Sequence, residues 1–164
     1  MSPTPKLDQG APWSCRSTTQ DSKMGTATMN LPTVLIVEDC ATEVFLTEVF
    51  LDDSGVPHRR VVSSSGRDAL SWLQVQNHPP ALIVLDLNMP EMSGFEFLQT
   101  YAKHYPRLRQ APIVVATNSA LQSDRRRCLE YECVWCVVEK PLVLKGPGFM
   151  ARVVELLERR ESAV

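Results

Sequence analysis

Three carboxylates follow two apolar runs of the chain and carry its clearest chemical signal. Asp86 comes directly after the run 81–85, and Glu38 and Asp39 come directly after the run 33–37. Runs of β-favouring apolar residues predict strands that are buried on both faces, as in a parallel sheet. Since ligands of open α/β sheets bind at the carboxyl ends of the strands, we expect these acids to meet at one edge. Carboxylates placed so close repel one another and hold a proton or a cation.

Two further apolar runs end at a hydroxyl and at an amine. Thr117 closes the run 113–117, and Lys140 follows the run 134–138. The ammonium group of lysine is a compact charge suited to an anionic oxygen, and a threonine hydroxyl can donate a hydrogen bond. The same sheet edge is therefore expected to combine acids, one cationic side chain and one neutral donor.

The elements that must position these side chains alternate regularly from residue 33 onward. Apolar runs predict strands at 33–38, 58–63, 81–86, 113–117 and 134–138. Helical spacing predicts helices at 40–54, 66–76, 93–104, 121–131 and 149–160, the last after a Gly-Pro-Gly loop at 146–148. In the first helix, Val44, Phe45, Val49 and Phe50 are expected to form the buried face. Five strand–helix units with right-handed crossovers predict a doubly wound α/β fold with a parallel sheet.

Length and composition limit the classes of function. The 164 residues suffice for one domain, predicted at 31–164, with a disordered extension at 1–30 that is rich in polar residues. The net charge of −2 gives no indication of nucleic-acid binding, and no apolar run is long enough to span a membrane. Five scattered cysteines do not form a disulfide pattern, so a reducing cytoplasm is the expected location.

Four short motifs stand in order at the ends of the predicted strands. They are Val37-Glu38-Asp39, Leu85-Asp86-Leu87-Asn88-Met89-Pro90 with Ser93-Gly94, Thr117, and Lys140-Pro141. With these motifs, residues 33–160 resemble the receiver domain of two-component response regulators. The resemblance implies a flavodoxin-like (βα)5 fold with strand order 2-1-3-4-5. It also implies a phosphoprotein that switches or relays a signal rather than an enzyme with turnover.

The resemblance implies a role for each residue at the edge. Asp86 is expected to accept a phosphoryl group from a phosphohistidine, with Lys140 and Thr117 contacting the phosphoryl oxygens. A Mg²⁺ ion is expected at this position, because a carboxylate and a phosphoryl group are both anionic. Its implied ligands are Glu38, Asp39 and Asp86, with the backbone carbonyl of Asn88. The Lys140–Pro141 peptide bond is expected to be cis.

Two positions depart from the family pattern. The residue three before the lysine is commonly Tyr or Phe and reports phosphorylation by turning inward, but here it is Val137. Trp135 lies two residues earlier and is expected on the same face of the strand, where it could replace the missing aromatic. Asn118, which follows Thr117, is larger than the residue usual there and could narrow access to the phosphoryl group.

The same residues also allow other interpretations. Asp39 could serve only as the N-cap of the first helix. An aspartyl-phosphate phosphatase usually needs a second Asp two residues after the nucleophile, where this chain has Asn88. A receiver fold used as a phosphorylation-independent docking module is the alternative function, since Val137 replaces the switch aromatic. Cys133 and Cys136 have the spacing of a redox motif but are interpreted as small core residues.

Several segments resemble stand-alone receivers that partner phytochrome-type and related hybrid histidine kinases. These segments include the stretch 55–58, the motif around Asp86 and the tract 105–112. The resemblance implies a histidine kinase partner, a candidate histidine phosphotransfer protein and no DNA-binding domain. It also implies a homodimer through the face of helix four, strand five and helix five. The apolar part of that face is expected from Tyr131, Trp135, Val137, Val153, Val154 and Leu157.

Overall fold

The computed structural model describes residues 31–105, 111–119 and 121–159. Five strands alternate with five α-helices along this part of the chain. The strands are β1 (Thr33–Val37), β2 (Arg59–Ser63), β3 (Leu82–Leu85), β4 (Ile113–Thr117) and β5 (Val134–Glu139). The helices are α1 (Ala41–Asp52), α2 (Gly66–Gln74), α3 (Gly94–His104), α4 (Gln122–Leu129) and α5 (Pro147–Glu158), and a 3-10 turn (Leu142–Leu144) precedes α5.

The strands form one parallel sheet in the order β2-β1-β3-β4-β5. This is the flavodoxin-like order that the motifs implied, and the prediction is confirmed. The order reverses direction between β1 and β3, and the crevice at such a switch point is where doubly wound folds bind ligands. Glu38 and Asp86 follow the two strands that border this crevice.

Each face of the sheet has its own hydrophobic core. One core contains buried side chains of α2, α3 and α4, with Leu73, Phe97 and Cys128 as examples. The other contains buried side chains of α1 and α5, with Leu51 and Leu157 as examples. The central strands β1, β3 and β4 contribute to both cores, which explains why they are apolar apart from a threonine at the start of β1 and another at the end of β4.

The predicted elements are confirmed in type and order, with small differences at their ends. The last helix begins at Pro147 rather than at residue 149, so the predicted Gly-Pro-Gly loop is partly helical. Proline suits the first turn of a helix, because its fixed φ is already helical and its missing N–H has no partner there. Phe45 is also not where the spacing placed it, since its side chain is 61% exposed. The apolar residues of α1 cover a wider face of the helix than the face that packs against the sheet.

A bulge in the last strand overturns the expected position of Trp135. Ile113 pairs with Val134 whereas Val114 pairs with Cys136, so one extra residue lies between the two pairs. Such a bulge breaks the two-residue alternation of a strand. Val137 therefore packs in the core with α2, α3 and α4, while Trp135 packs with α1 and α5. Trp135 is not available as a replacement for the aromatic at position 137.

Parts of the sequence interpretation fall outside the described residues. The disorder predicted for residues 1–30 and the tract 106–110 are not covered, so these interpretations remain predictions. Within the described ranges, no helix combines the length and the apolar character needed to cross a membrane.

Candidate functional site

The three acids meet at the carboxyl edge of the sheet, as their positions after β1 and β3 predicted. One carboxylate oxygen from each of Glu38, Asp39 and Asp86 can be chosen so that all three lie within 4.8 Å of one another. Glu38 and Asp86 are buried at 6% and 5% exposure, whereas Asp39 is exposed. The cluster therefore has one side toward solvent and two acids set into the protein.

Backbone hydrogen bonds fix where these acids stand. The Glu38 N–H donates to the Ser63 carbonyl at 3.0 Å, and the Asp86 N–H donates to the Val37 carbonyl at 3.0 Å. Each bond continues a ladder of the parallel sheet by one residue beyond the strand. Glu38 and Asp86 are thus positioned by the hydrogen bonding of the sheet itself.

Lys140 extends into the same cluster from the end of β5. Its Nζ lies 3.3 Å from Asp86 Oδ1 and is in direct contact with Glu38 Oε2. Its backbone N–H donates to the Thr117 carbonyl at 3.1 Å, which joins the ends of β4 and β5. The Lys140–Pro141 peptide bond is cis, as expected. The lysine is thus positioned from both its backbone and its ammonium group.

Burial and charge oppose each other in this ion cluster. Burial raises the pKa of Glu38 above its usual value, although hydrogen bonds from Lys140 and from the Cys40 N–H act against the shift. Burial lowers the pKa of Lys140, but the hydrogen bond to Glu38 and the charge of Asp86 outweigh it, so the net pKa is raised. Lys140 consequently stays charged at neutral pH and offsets part of the repulsion between the acids.

The donor set suits a hard divalent cation. Three carboxylates offer the oxygen ligands that Mg²⁺ and similar ions prefer, and the exposed Asp39 leaves the cluster open to water. Asn88, the fourth implied ligand, is exposed two residues beyond Asp86. Asp39 is not a helix cap: the N-cap position of α1 is Cys40, which makes no side-chain capping bond.

Thr117 lies beside the cluster as the last residue of β4. Its side chain is 2% exposed, and its Oγ1 accepts a hydrogen bond from the Ser119 N–H at 3.0 Å. The structure thus brings Glu38, Asp39, Asp86 and Lys140 into one cluster, and the backbone of Thr117 is bonded to the backbone of Lys140.

Gly94 contributes to the site, although the sequence marks it only as part of the Ser93-Gly94 motif. A Cβ atom at this position would lie 2.4 Å from the Asp86 carbonyl oxygen and 2.7 Å from the Leu87 Cα. Both neighbours are backbone atoms that cannot turn aside, so α3 can pack against the end of β3 only with glycine here. The sequence signal for this close contact was a glycine at the first position of a helix, where better helix formers are common.

The cysteine pair does not form a site of its own. Cys133 belongs to the core with α2, α3 and α4, whereas Cys136 packs with α1 and α5 on the other face of the sheet. Burial raises the pKa of the Cys136 thiol to about 11, which disfavours the reactive thiolate.

Residues 34–145 match the family described as the response regulator receiver domain. A curated relative, the response regulator Rcp1 of Synechocystis, is 36% identical over 127 residues, which cover 74% of this chain and 85% of Rcp1. The polar-differentiation response regulator DivK of Brucella ovis is 30% identical over 124 residues, 76% of this chain and 94% of DivK.

Solved structures give the same result. The bacteriophytochrome response regulator AtBRR has a TM-score of 0.64 and 29% identity, covering 79% of this chain and 94% of that one. The Mn²⁺-bound form of Rcp1 has a TM-score of 0.61 and 30% identity, covering 81% of this chain and 96% of the Rcp1 chain. The strand order, the site and these similarities agree: the chain belongs to the response regulator receiver domain family and, within it, resembles phytochrome-associated regulators.

Proposed function

We propose that this protein is the phosphoryl-accepting switch of a two-component system and that Asp86 is the acceptor. The observation that carries the proposal is the environment of Asp86. Its buried carboxylate lies in a cluster with Glu38 and Asp39 and 3.3 Å from the Lys140 ammonium group. Lys140 balances part of the negative charge of this cluster, and a carboxylate oxygen of Asp86 is the nucleophile that the reaction needs.

The reaction is a transfer from nitrogen to oxygen. A carboxylate oxygen of Asp86 attacks the phosphorus of a phosphohistidine, a P–O bond forms and the P–N bond breaks. The bonding pair remains on the imidazole nitrogen, which then takes a proton from water. Lys140 and the hydroxyl of Thr117 are the groups of this chain that contact the phosphoryl oxygens. The product is an acyl phosphate that water later hydrolyses.

Glu38, Asp39 and Asp86 would hold a divalent cation, proposed to be Mg²⁺, with the Asn88 carbonyl as a further ligand. When bound, the cation supplies positive charge between the carboxylate and the phosphoryl group and favours their in-line approach. Support comes from the hard-oxygen donor set and from the relative Rcp1, which has been solved in an Mn²⁺-bound form.

The proposed partner is a histidine kinase, either of the phytochrome type, as for the regulators that this chain resembles, or a related hybrid kinase. A histidine phosphotransfer protein is a second candidate partner. The protein acts in this scheme as a cytoplasmic switch that modifies itself, not as an enzyme with turnover.

We also propose a homodimer through α4, β5 and α5. Fewer apolar residues are available for its interface than the sequence led us to expect. Val137, Val153 and Leu157 are buried within the fold and cannot contribute to that face, contrary to the expectation from sequence. Tyr131, Trp135 and Val154 remain partly exposed. The Arg152 guanidinium lies over the Trp135 ring, 5.0 Å from the ring centroid. Light scattering over a range of concentrations on Trp135→Ala tests this; unchanged self-association would remove Trp135 from the interface.

The phosphoacceptor proposal is tested by intact-protein mass after incubation with Mg²⁺ and a small phosphodonor or a phosphorylated kinase. The wild type is expected to gain one phosphoryl group, and Asp86→Asn none. Asp53→Asn, which changes an exposed acid at the end of α1, is the matched control and should behave as the wild type. Chelation of the metal before the donor is added should prevent the gain.

A folded wild type that gains no phosphoryl group from either donor would contradict the proposal and favour the docking module. Addition to Asp86→Asn at the wild-type rate would assign the acceptor to another residue.

A further inference from the structure

Two hydrogen bonds connect Thr117 to the first turn of α4. The Ser119 N–H donates to Thr117 Oγ1 at 3.0 Å, and the Ser119 hydroxyl donates to Asp124 Oδ2 at 2.7 Å. The Leu121 N–H lies 3.4 Å from Ser119 Oγ and donates to it. Ser119 is therefore bonded on one side to the phosphoryl-facing strand end and on the other to a helix.

The direction of these bonds determines what Thr117 can do. A hydroxyl has one hydrogen and accepts through its lone pairs. Because Thr117 Oγ1 already accepts from Ser119, its own hydrogen remains for a different acceptor. The Ser119 hydroxyl donates its only hydrogen to Asp124. The position of the Asp124 carboxylate therefore fixes the position of Ser119.

Packing alone does not hold this connection in place. A cavity of about 180 Å³ lies against Thr117, Ser119, Leu121 and Val137. The N-cap residue of α4 is Leu121, which makes no side-chain capping bond and is 63% exposed. With open space beside them and no side-chain capping bond from Leu121, Ser119 and the start of α4 depend on the hydrogen bonds of Ser119 for their position.

We propose that Asp124 is a positioning residue for the phosphoryl site. Asp124 holds Ser119 so that the Ser119 N–H donates to Thr117, and the Thr117 hydroxyl hydrogen is thereby directed to the incoming phosphoryl oxygen. This inference rests on the proposed function of Asp86. It makes the first turn of α4 a part of the machinery that receives the phosphoryl group.

The link itself is tested in the unphosphorylated protein by amide hydrogen exchange followed by NMR. Asp124→Ala should speed exchange of the Ser119 amide, because Ser119 is then no longer held where its N–H donates to Thr117 Oγ1. Asp124→Asn keeps an acceptor oxygen and should restore protection. Asp68→Ala is the matched control, since Asp68 is also an acid in the first turn of a helix and is exposed. Unchanged Ser119 exchange in a folded Asp124→Ala variant would overturn the proposal.

A double-mutant cycle separates positioning from simple helix capping. Asp124→Ala should slow phosphorylation from a small phosphodonor roughly three- to tenfold. In the Thr117→Val background, where no hydroxyl remains to be oriented, Asp124→Ala should cause no further loss. An equal loss in both backgrounds would show a capping role only. A wild type that takes no phosphoryl group would overturn the proposed function, and the exchange measurement would still decide the link.

Discussion

Two helices begin beside the reactive edge of the sheet, and their first turns are built differently. At α3 the N-cap Ser93 accepts a bond from the Glu96 N–H, and the Glu96 carboxylate accepts from the Ser93 N–H, which completes a capping box. Gly94 then packs directly on the backbone of Asp86. At α4 the N-cap Leu121 makes no side-chain capping bond, and a cavity of about 180 Å³ lies beside it.

Under the function proposed for Asp86, the difference fits two tasks: the α3 end holds the reacting carboxylate, and the α4 end is proposed to respond to its phosphorylation. A reacting carboxylate benefits from a fixed position, because a small displacement of an attacking group is costly in rate. A segment that reports the reaction needs a second arrangement and room to adopt it. The α3 end is fixed by its cap and by backbone contact, whereas the α4 end is held mainly through Ser119 and Asp124.

The largest expected effect concerns the ion cluster on the fixed side. Lys140→Met should lower the free energy of unfolding at pH 7 by roughly 3 kcal/mol in metal-free buffer, because it leaves buried carboxylates without their cation. The side chains of Lys140, Glu38 and Asp86 are only 6–7% exposed, so water screens this loss poorly. Urea unfolding measures the change.

The exposed Lys103, in the last turn of α3, supplies the control for that measurement. Lys103→Met should change stability by no more than a few tenths of a kcal/mol. Mg²⁺ should restore part of the stability of Lys140→Met. A Lys140→Met variant as stable as the wild type in metal-free buffer would refute the balance of charges assigned to the cluster.

Gly94→Ala should break the close contact that fixes Asp86. The added methyl group meets two backbone atoms, so we expect a cost of about 1–3 kcal/mol and weaker Mg²⁺ binding. Gly148→Ala, at a helical position with nothing within 4 Å, should leave metal binding unchanged. Thermal unfolding and calorimetric titration with Mg²⁺ measure both effects. Equal behaviour of the two variants would mean that the α3 contact does not position Asp86.

Two substitutions at the N-caps should have effects of opposite sign. Ser93→Ala removes a capping bond and should lower stability by about 1 kcal/mol. Leu121→Ser adds a capping group at the loosely held end and should raise stability by up to about 1 kcal/mol, since the exposed Leu121 gives up little packing. Thermal melts compare the two. A decrease in both variants would remove the contrast between the helix ends.

The smallest effect is a dependence on pH confined to the α3 end. Hydrogen bonds from the Ser93 N–H and hydroxyl lower the pKa of Glu96 below its ordinary value of 4.5. A group whose pKa is lowered by folding stabilises the protein above its unfolded pKa, and this contribution disappears as the pH falls through the folded pKa. The stability difference between wild type and Glu96→Gln should therefore shrink as the pH falls below about 4.5. A difference that grows in acid would contradict the capping box.

Most of the fold and the site could be predicted because their signals are local. Apolar runs mark the strands, and the carboxyl ends of parallel strands necessarily share an edge. That rule alone brought Glu38, Asp86, Thr117 and Lys140 together. The resemblance added the cis bond before Pro141, which no pattern of hydrophobicity reveals.

The failures of prediction lie where one residue shifts the pattern or where contacts are long-range. The bulge at Trp135 reverses the face of that side chain, and nothing in an apolar run announces an extra residue. Phe45 has the spacing of a buried residue, but it lies on the part of α1 that faces solvent. The bond from Ser119 to Asp124 depends on the path of a connection between elements, which spacing does not determine.

Chemical identification of the modified side chain tests directly whether Asp86 accepts the phosphoryl group. The protein is phosphorylated in Mg²⁺, treated with borohydride, which reduces an acyl phosphate to an alcohol, and mapped by peptide mass spectrometry. If Asp86 is the acceptor, homoserine forms at position 86 and at no other acid, and none forms when Mg²⁺ is omitted. Homoserine at position 39, or an unreduced phosphoryl group on a histidine or serine, would contradict this assignment.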